Sequence, residues 1–367
     1  MTAADAALGD LCRAVRELSH GALDSAQAHL RAVANRAQEQ GYGASSLLAA
    51  IFASALLTRS GGRAPARANL YLTQFTLPQI ELFTLLATRV PTIALSSPVA
   101  NALLLGEIAR AGGAPVTLLE LGIGTGRQLR ALLAEIARNG VIPPRLTIIA
   151  VEPDRASLDC AERALREAAR ALGTEFGFVG FCRCVEHLGA DEWAAIASLR
   201  AGGRLLMNEA FALHHLPNAR ARDAKQATLR RLRQLAPELF VLTEPHVDHD
   251  VADLERRMLH CWRHFDLAFR MLDASDLTLE QAMALKTAFF AREIDDVLAQ
   301  REELRSERHE TADMWLERLV RAGFRPCRAA LGSPIPESSV ATVRDHGCYW
   351  GIDFGAKTQV AVICARS

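Results

Sequence analysis

The 367-residue chain predicts an α/β protein, a mostly parallel sheet with an antiparallel C-terminal hairpin and a helical cap. Three observations predict it. From Val116 to about Leu235 strand-like and helix-like stretches alternate, as parallel β-α-β units do. The residues before Val116, and those between His246 and Arg308, carry helical periodicity alone. The apolar strand starting at Val116 runs through Glu120 into Gly122, Gly124 and Gly126 and then into a helix. Glycines at such a turn let the backbone bend tightly and come close to a ligand.

Taken in order, Leu8, Leu11, Cys12, Val15 and Leu18 give a first apolar stripe, residues 22–37 a second, and 45–57 a third that is apolar on most sides. Ser60, Gly61, Gly62 and Pro65 mark a loop, and two helices follow, over 78–88 and 98–111. After the glycine turn, Thr125 and Gln128 have capping-box spacing for a helix running to Asn139-Gly140. Strands are expected over 145–152, 177–185, 204–208 and 239–244, with helices over 154–172 and 220–235. Arg220, Arg222, Lys225, Arg230, Arg231 and Arg233 on the last read as a solvated face. Within 246–308, Thr278 and Gln281 form a second capping box. A helix over 311–322 and strands over 324–331, 348–354 and 358–364 complete seven or eight strands, the last two joined at Gly355-Ala356-Lys357. The domain organisation expected is a helical cap over 1–113, the core over 114–245, a helical insertion over 246–308 that joins the cap, and the rest of the core over 309–367.

Lys and Arg total 42, as do Asp and Glu, so no whole-molecule field draws the chain to nucleic acid or an anionic membrane, and direct nucleic-acid binding is disfavoured. The longest apolar run, Leu47 to Leu57, is too short to span a bilayer. No secretory signal is visible. Eight cysteines without a Cys-x-x-Cys pair or zinc-ligand spacing fit a reducing, cytoplasmic setting. Nothing selects between a monomer and a homodimer.

The spacing at the glycine turn separates three nucleotide-type readings. Arg127 stands where a dinucleotide fingerprint needs a small residue, and the P-loop sequence is absent. What remains, acid-x-Gly-x-Gly-x-Gly at a strand end, resembles the first motif of class I S-adenosylmethionine-dependent methyltransferases. In an open parallel sheet the ligand lies beyond the carboxyl ends of the strands. The cofactor-binding candidates are therefore Glu120, Gly122, Gly124, Gly126, Glu152 for the ribose hydroxyls, Cys184 and Glu186 near the adenine, and Asn208 and Glu209 where the methyl group is presented.

Methyl transfer is an in-line displacement, so the protein chiefly positions a nucleophile and takes its proton. Histidine suits that base role near neutral pH, which makes His214, His215, His246 and His249 the catalytic candidates. For the polar run Glu244 to Asp250, substrate contact or base catalysis by His246 or His249 is preferred to a metal, because no further ligand set accompanies it. Asp250, Arg308, His309 and Glu310 are candidate substrate contacts, with a structural ion pair as the competing reading. Trp262, Phe265, Phe269, Phe289 and Phe290 read as core in preference to a pocket lining.

A wider resemblance spans nearly the whole chain. Leu11-Cys12-Arg13-Ala14-Val15, Pro144 to Ile148, Asn208 to Leu216, Val241 to Glu244, Phe265-Asp266, Glu307-Arg308-His309-Glu310, Trp315 and Ala322-Gly323-Phe324 resemble, in order, the motifs of the GRAS family. Plant members of that family are transcriptional regulators that act through partner proteins; bacterial members have been proposed to be methyltransferases of small molecules. The full glycine set and a start directly in the first helical motif align this chain with the bacterial branch. The resemblance implies a Rossmann-like methyltransferase core under an α-helical cap, S-adenosylmethionine as cofactor, and a small, fairly apolar metabolite as acceptor of an O- or N-methyl. The alternative it implies is a non-catalytic regulator or small-molecule sensor acting through protein partners.

Overall fold

The computed structural model describes residues 3–41, 44–61, 79–200, 202–219 and 222–367. Gly62 and Pro65 of the expected loop, and Arg220 of the expected basic face, lie outside the described residues. The chain divides into two compact units, 1–91 with 247–310, and 92–246 with 311–367.

The first unit is helical. Helices Ala3–Ser19, Leu23–Glu39 and Ala44–Ser60 bury Leu11, Val15, Leu30, Val33, Leu48, Phe52 and Leu56, the stripes that the periodicity marks. Helix Leu254–Ala274 packs against them, with Phe52 edge-on to Trp262 at 5.1 Å. Helix Leu279–Ala284, opened by the Thr278/Gln281 capping box, continues through a π-helical turn, Leu285–Phe290, into Ala291–Ala299. Phe265, Phe269, Phe289 and Phe290 are buried against one another, so the aromatics of this segment are core.

The second unit is the α/β core, a nine-stranded sheet. Its main strands are β1 (Val116–Leu121), β2 (Arg145–Val151), β3 (Glu175–Phe181), β4 (Arg204–Ala210), β5 (Leu239–Pro245), β6 (Ala341–Asp345), β7 (Tyr349–Phe354) and β8 (Lys357–Arg366). The order is β3-β2-β1-β4-β5-β8-β7-β6, the first five parallel and the last three antiparallel. Leu118, Ile148, Leu206 and Val241 face one side of the sheet, and Leu119, Ile149, Met207 and Leu242 the other, each side a separate apolar cluster. The chain order reverses between β1 and β4, which puts a crevice beyond their carboxyl ends.

Three sequence expectations are corrected by this architecture. The strand expected over 324–331 is reduced to Arg325–Pro326, and β6 is a strand where none is expected. Lys225 is buried with its ammonium over the Trp315 ring at 5.2 Å, so it does not belong to the solvated face. Helix Ser96–Arg110, grouped by sequence with the N-terminal cap, packs in the α/β unit. The stretch Pro91–Arg110 is apolar and long enough to pass for a membrane span, but most of it is buried within the protein. Glu107 on this helix takes a two-point ion pair from Arg366 at 2.7 and 3.2 Å.

Gly106 lets that helix meet the loop before β6, where the Gly332 amide donates to the Ala102 carbonyl at 2.7 Å. A Cβ at Gly106 would lie 2.6 Å from the Ala330 carbonyl oxygen, a backbone atom that cannot turn aside. Gly106→Ala is therefore expected to destabilise by about 1–3 kcal/mol despite alanine's better helix propensity, read from the urea midpoint.

Candidate functional site

The glycine turn is held by backbone bonds before any ligand is considered. The Gly122 amide donates to the Val151 carbonyl at 2.8 Å, and the Gly124 amide donates to Glu152 Oε2 at 2.9 Å. The other oxygen of Glu152 accepts from the Asp154 amide at 3.0 Å. Asp154 itself caps helix Arg155–Arg170, accepting from the Ser157 amide. Each carboxylate oxygen has a second lone pair, so Glu152 keeps acceptor capacity while it ties the turn to the end of β2. Burial raises its pKa, and the two amides oppose that shift.

The three glycines serve different ends. All have positive φ, at 73°, 53° and 76°. A Cβ at Gly122 would meet Ala212 at 2.7 Å, and one at Gly126 would meet Ala161 at 3.1 Å, so these two permit close packing. At Gly124 a Cβ would have nothing within 4 Å. The backbone there borders open space. Gly126, in the left-handed region, is also the N-cap of helix Arg127–Asn139, with no side-chain cap; the expected Thr125/Gln128 capping box does not form.

Glu120 is buried at the end of β1, accepting from Asn208 Nδ2 at 2.8 Å through one oxygen while the other has no partner. Burial lifts its pKa to about 8, the bond from Asn208 opposes this, and the nearby Glu209 adds to it. A group with a raised folded-state pKa stabilises most below its unfolded value and loses that contribution as pH rises through the folded one. Glu120→Gln should therefore gain on the unaltered protein as pH rises from about 5 to 8, by up to about 1.4 kcal/mol per pH unit. Urea unfolding across that range checks this; parallel curves for the two proteins would contradict it.

One strand further, Glu209 Oε1 accepts from the amides of Ala212 and Leu213 at 2.6 and 3.0 Å. Burial raises Glu209 well above the carboxylate range, and neighbouring Glu244 raises it further. Burial also lifts Glu244, to about 7, while the bond from Glu209 opposes the shift. Both shifts run toward the protonated form, as expected for two carboxyls buried beside each other. Glu244 at the end of β5 then grips His214 twice, accepting from its amide at 3.0 Å and meeting Nδ1 at 2.5 Å. In the tautomer that donates from Nδ1 to Glu244, Nε2 is the basic nitrogen. The His215 ring lies 3.9 Å from that of His214, centroid to centroid.

Sequence reasoning misses Glu244 as a functional residue. Its signal is its place at a strand end, overshadowed by the His/Asp run after it. β3 ends at Phe181, short of the strand end expected at residue 185, so Cys184 is not in a strand but caps the short 3-10 turn Val185–His187 that holds Glu186. Cys184 is close enough to Glu186 and Glu152 for both to help burial push its thiol up to about 11. The α/β unit thus gathers Glu120, Gly122, Gly124, Gly126, Glu152, Cys184, Glu186, Asn208, Glu209, His214 and His215 at the carboxyl ends of β1 to β4.

The remaining candidates have other surroundings. His246 Nδ1 accepts from the Ala312 amide at 3.0 Å, and its ring stacks on Tyr349, so it supports the start of helix Ala312–Arg321. His249, Asp250, Arg308, His309 and Glu310 belong to the helical unit. There Arg308 pairs with Asp250 at 2.6 Å and with Glu302 at 2.8 Å, a buried ion network that also takes in Arg305. The ion-pair reading of Arg308 and Asp250 is the one the geometry favours. His249 and His309 face each other through Nδ1 atoms 3.0 Å apart, and His309 Nε2 lies 3.3 Å from Glu307. Burial lowers the His249 pKa well below the histidine range, with His309 and His264 adding to the shift. Glu310 is buried in the same unit.

The GRAS domain family profile matches residues 7–363. Among curated relatives, Scarecrow-like protein 13 of Arabidopsis thaliana is 26% identical over 228 residues, covering 58% of this chain and 41% of that protein. GRAS family protein RAD1 of Medicago truncatula is 27% identical over 259 residues, covering 70% of this chain and 48% of that one. The chain thus spans less than half the length of these two relatives. The crystal structure of SCL7 from Oryza sativa superposes with a TM-score of 0.78 at 21% identity, over 98% of this chain and 99% of that chain, which shows the fold. The DszA carbon methyltransferase reaches a TM-score of 0.44 at 15% identity, over 87% of this chain and 66% of that chain, too low to bear on cofactor or activity. On the match across nearly its whole length, the chain belongs to the GRAS domain family.

Proposed function

We propose that this protein is an S-adenosylmethionine-dependent methyltransferase acting on a small, fairly apolar metabolite. The observation that carries the reading is the open backbone at Gly124 beside Glu152, with a buried, half-partnered Glu120 at the adjoining strand end. These residues fit an adenosyl ligand. Glu152 accepts from ribose hydroxyls with its remaining lone pairs, Cys184 and Glu186 border the adenine, and the unpartnered Glu120 oxygen meets a ligand donor. S-adenosylmethionine, when bound, supplies an electrophilic methyl group on a cationic sulfur. A nearby positive charge favours the ionised form of Glu120 and so opposes the effect of its burial.

His214 is the base of this reading. Glu244 orients the ring and fixes its tautomer, so that Nε2 takes the proton of an acceptor hydroxyl or amine. Glu209 holds a proton beside Glu244, which keeps two buried carboxylates from both being charged. Calorimetry with S-adenosylmethionine and S-adenosylhomocysteine, followed by label transfer into a metabolite extract, tests the proposal. Saturable binding with a labelled product supports it, and no binding at high micromolar ligand removes it.

A second reading, a non-catalytic regulator or small-molecule sensor that acts through protein partners, draws support from membership of the GRAS domain family. It is also favoured by the engagement of both Glu152 oxygens with the protein's own amides, which holds the turn without a ligand. Cofactor binding with no labelled product would favour it over the enzyme.

A further inference from the structure

Arg127, the residue that sets the glycine turn apart from a dinucleotide fingerprint, stands outside the strand-end cluster. Its guanidinium is half-buried and donates to Ser97 Oγ at 3.3 Å; among the described residues no carboxylate pairs with it. Next to it, the Gln128 side-chain nitrogen is buried without a hydrogen-bond partner. Asn101 is fully buried and donates through Nδ2 to the Gln128 carbonyl at 3.1 Å, leaving its own amide oxygen without a partner. Ser97 and Asn101 are one turn apart on helix Ser96–Arg110, so one face of that helix meets both the Arg127 side chain and the Gln128 main chain at the start of helix Arg127–Asn139.

A cation taken from water without an anion is costly, and unmet buried donors and acceptors add to the cost. A ligand carrying both an anion and a cation would meet all three needs. The guanidinium fork matches a carboxylate in two-point geometry, Gln128 offers a further N–H, and the helix beginning at Gly126 presents its positive end. We infer that Arg127 and Gln128 bind the carboxylate of an α-amino-acid group, whose ammonium donates to the Asn101 amide oxygen. The inference rests on the adenosyl-cofactor reading and assigns the part of the site that separates such a cofactor from a plain nucleoside.

The test uses two ligands that share adenosine and a thioether sulfur but differ at the amino-acid end, S-adenosylhomocysteine and 5′-methylthioadenosine. Calorimetry on the full chain is expected to show at least about tenfold tighter binding of S-adenosylhomocysteine. In Arg127→Ala that preference shrinks to within about twofold while affinity for 5′-methylthioadenosine stays unchanged, and Arg127→Lys keeps part of it as a single point charge. Equal affinity of the unaltered protein for the two ligands overturns the inference and leaves the cofactor reading standing; so does an equal loss for both in Arg127→Ala. Binding of neither ligand by the unaltered protein overturns both. Because the two-ligand comparison needs no variant, it decides the matter even if Arg127→Ala fails to fold.

Discussion

Glu152→Ala is expected to weaken S-adenosylhomocysteine binding by about 100-fold or more. Hydrogen bonds to a charged carboxylate contribute about 1.5–3 kcal/mol each, so the loss of two ribose contacts passes two orders of magnitude. The same substitution leaves the Gly124 and Asp154 amides without their acceptor, so the turn loosens as the ligand contact is lost. Glu152→Gln separates the two effects. One carbonyl oxygen still serves one amide, but the side-chain NH2 now faces the other N–H, and a smaller loss, about tenfold, is expected. Calorimetry alongside thermal unfolding measures both. Binding by Glu152→Ala at the original affinity would remove the ribose assignment.

His214→Ala is expected to slow methyl transfer by about 10²–10⁴-fold, the range for removal of a positioned general base. Affinity for S-adenosylhomocysteine should change by less than about twofold, because the proposed role of His214, oriented by Glu244, is toward the methyl acceptor and not the cofactor. Glu244→Gln keeps the shape of the pair but offers His214 Nδ1 one neutral oxygen, so a smaller loss and a displaced pH profile are expected. Single-turnover label transfer measures the chemical step. An unaltered rate in His214→Ala would assign proton removal to another group.

Much of the α/β core was legible because four of its five parallel strands are apolar runs that end in a residue out of keeping with them. Glu120, Glu152, Asn208-Glu209 and Glu244 mark those ends, at the carboxyl edge of the sheet. The C-terminal strands read less well. Phe324 to Leu331 is apolar enough for a strand, yet Pro326 cannot donate to a ladder, and Gly332 instead docks on helix Ser96–Arg110. Ala341–Asp345 is an edge strand with alternating exposure, which carries little apolar signal.

The capping box expected at Thr125 is absent for a local reason. Gly126 adopts the left-handed conformation there, and the close approach of Ala161 demands a glycine. The buried carboxyls Glu209 and Glu244 and the facing histidines His249 and His309 were beyond reach for another reason. Each pair is far apart in the chain, and only tertiary packing brings its members together. Arg308 and Asp250 illustrate the same limit from the other side, since a motif-like charge cluster proved to be tied into its own ion network.

A crystal structure of the chain grown with S-adenosylhomocysteine bears most directly on the central claim. Ligand density is expected against the Gly124 backbone, with both sugar hydroxyls within hydrogen-bonding distance of Glu152. Density for the protein's own side chains filling that space, or a ligand bound elsewhere with Glu152 turned from it, would contradict the claim.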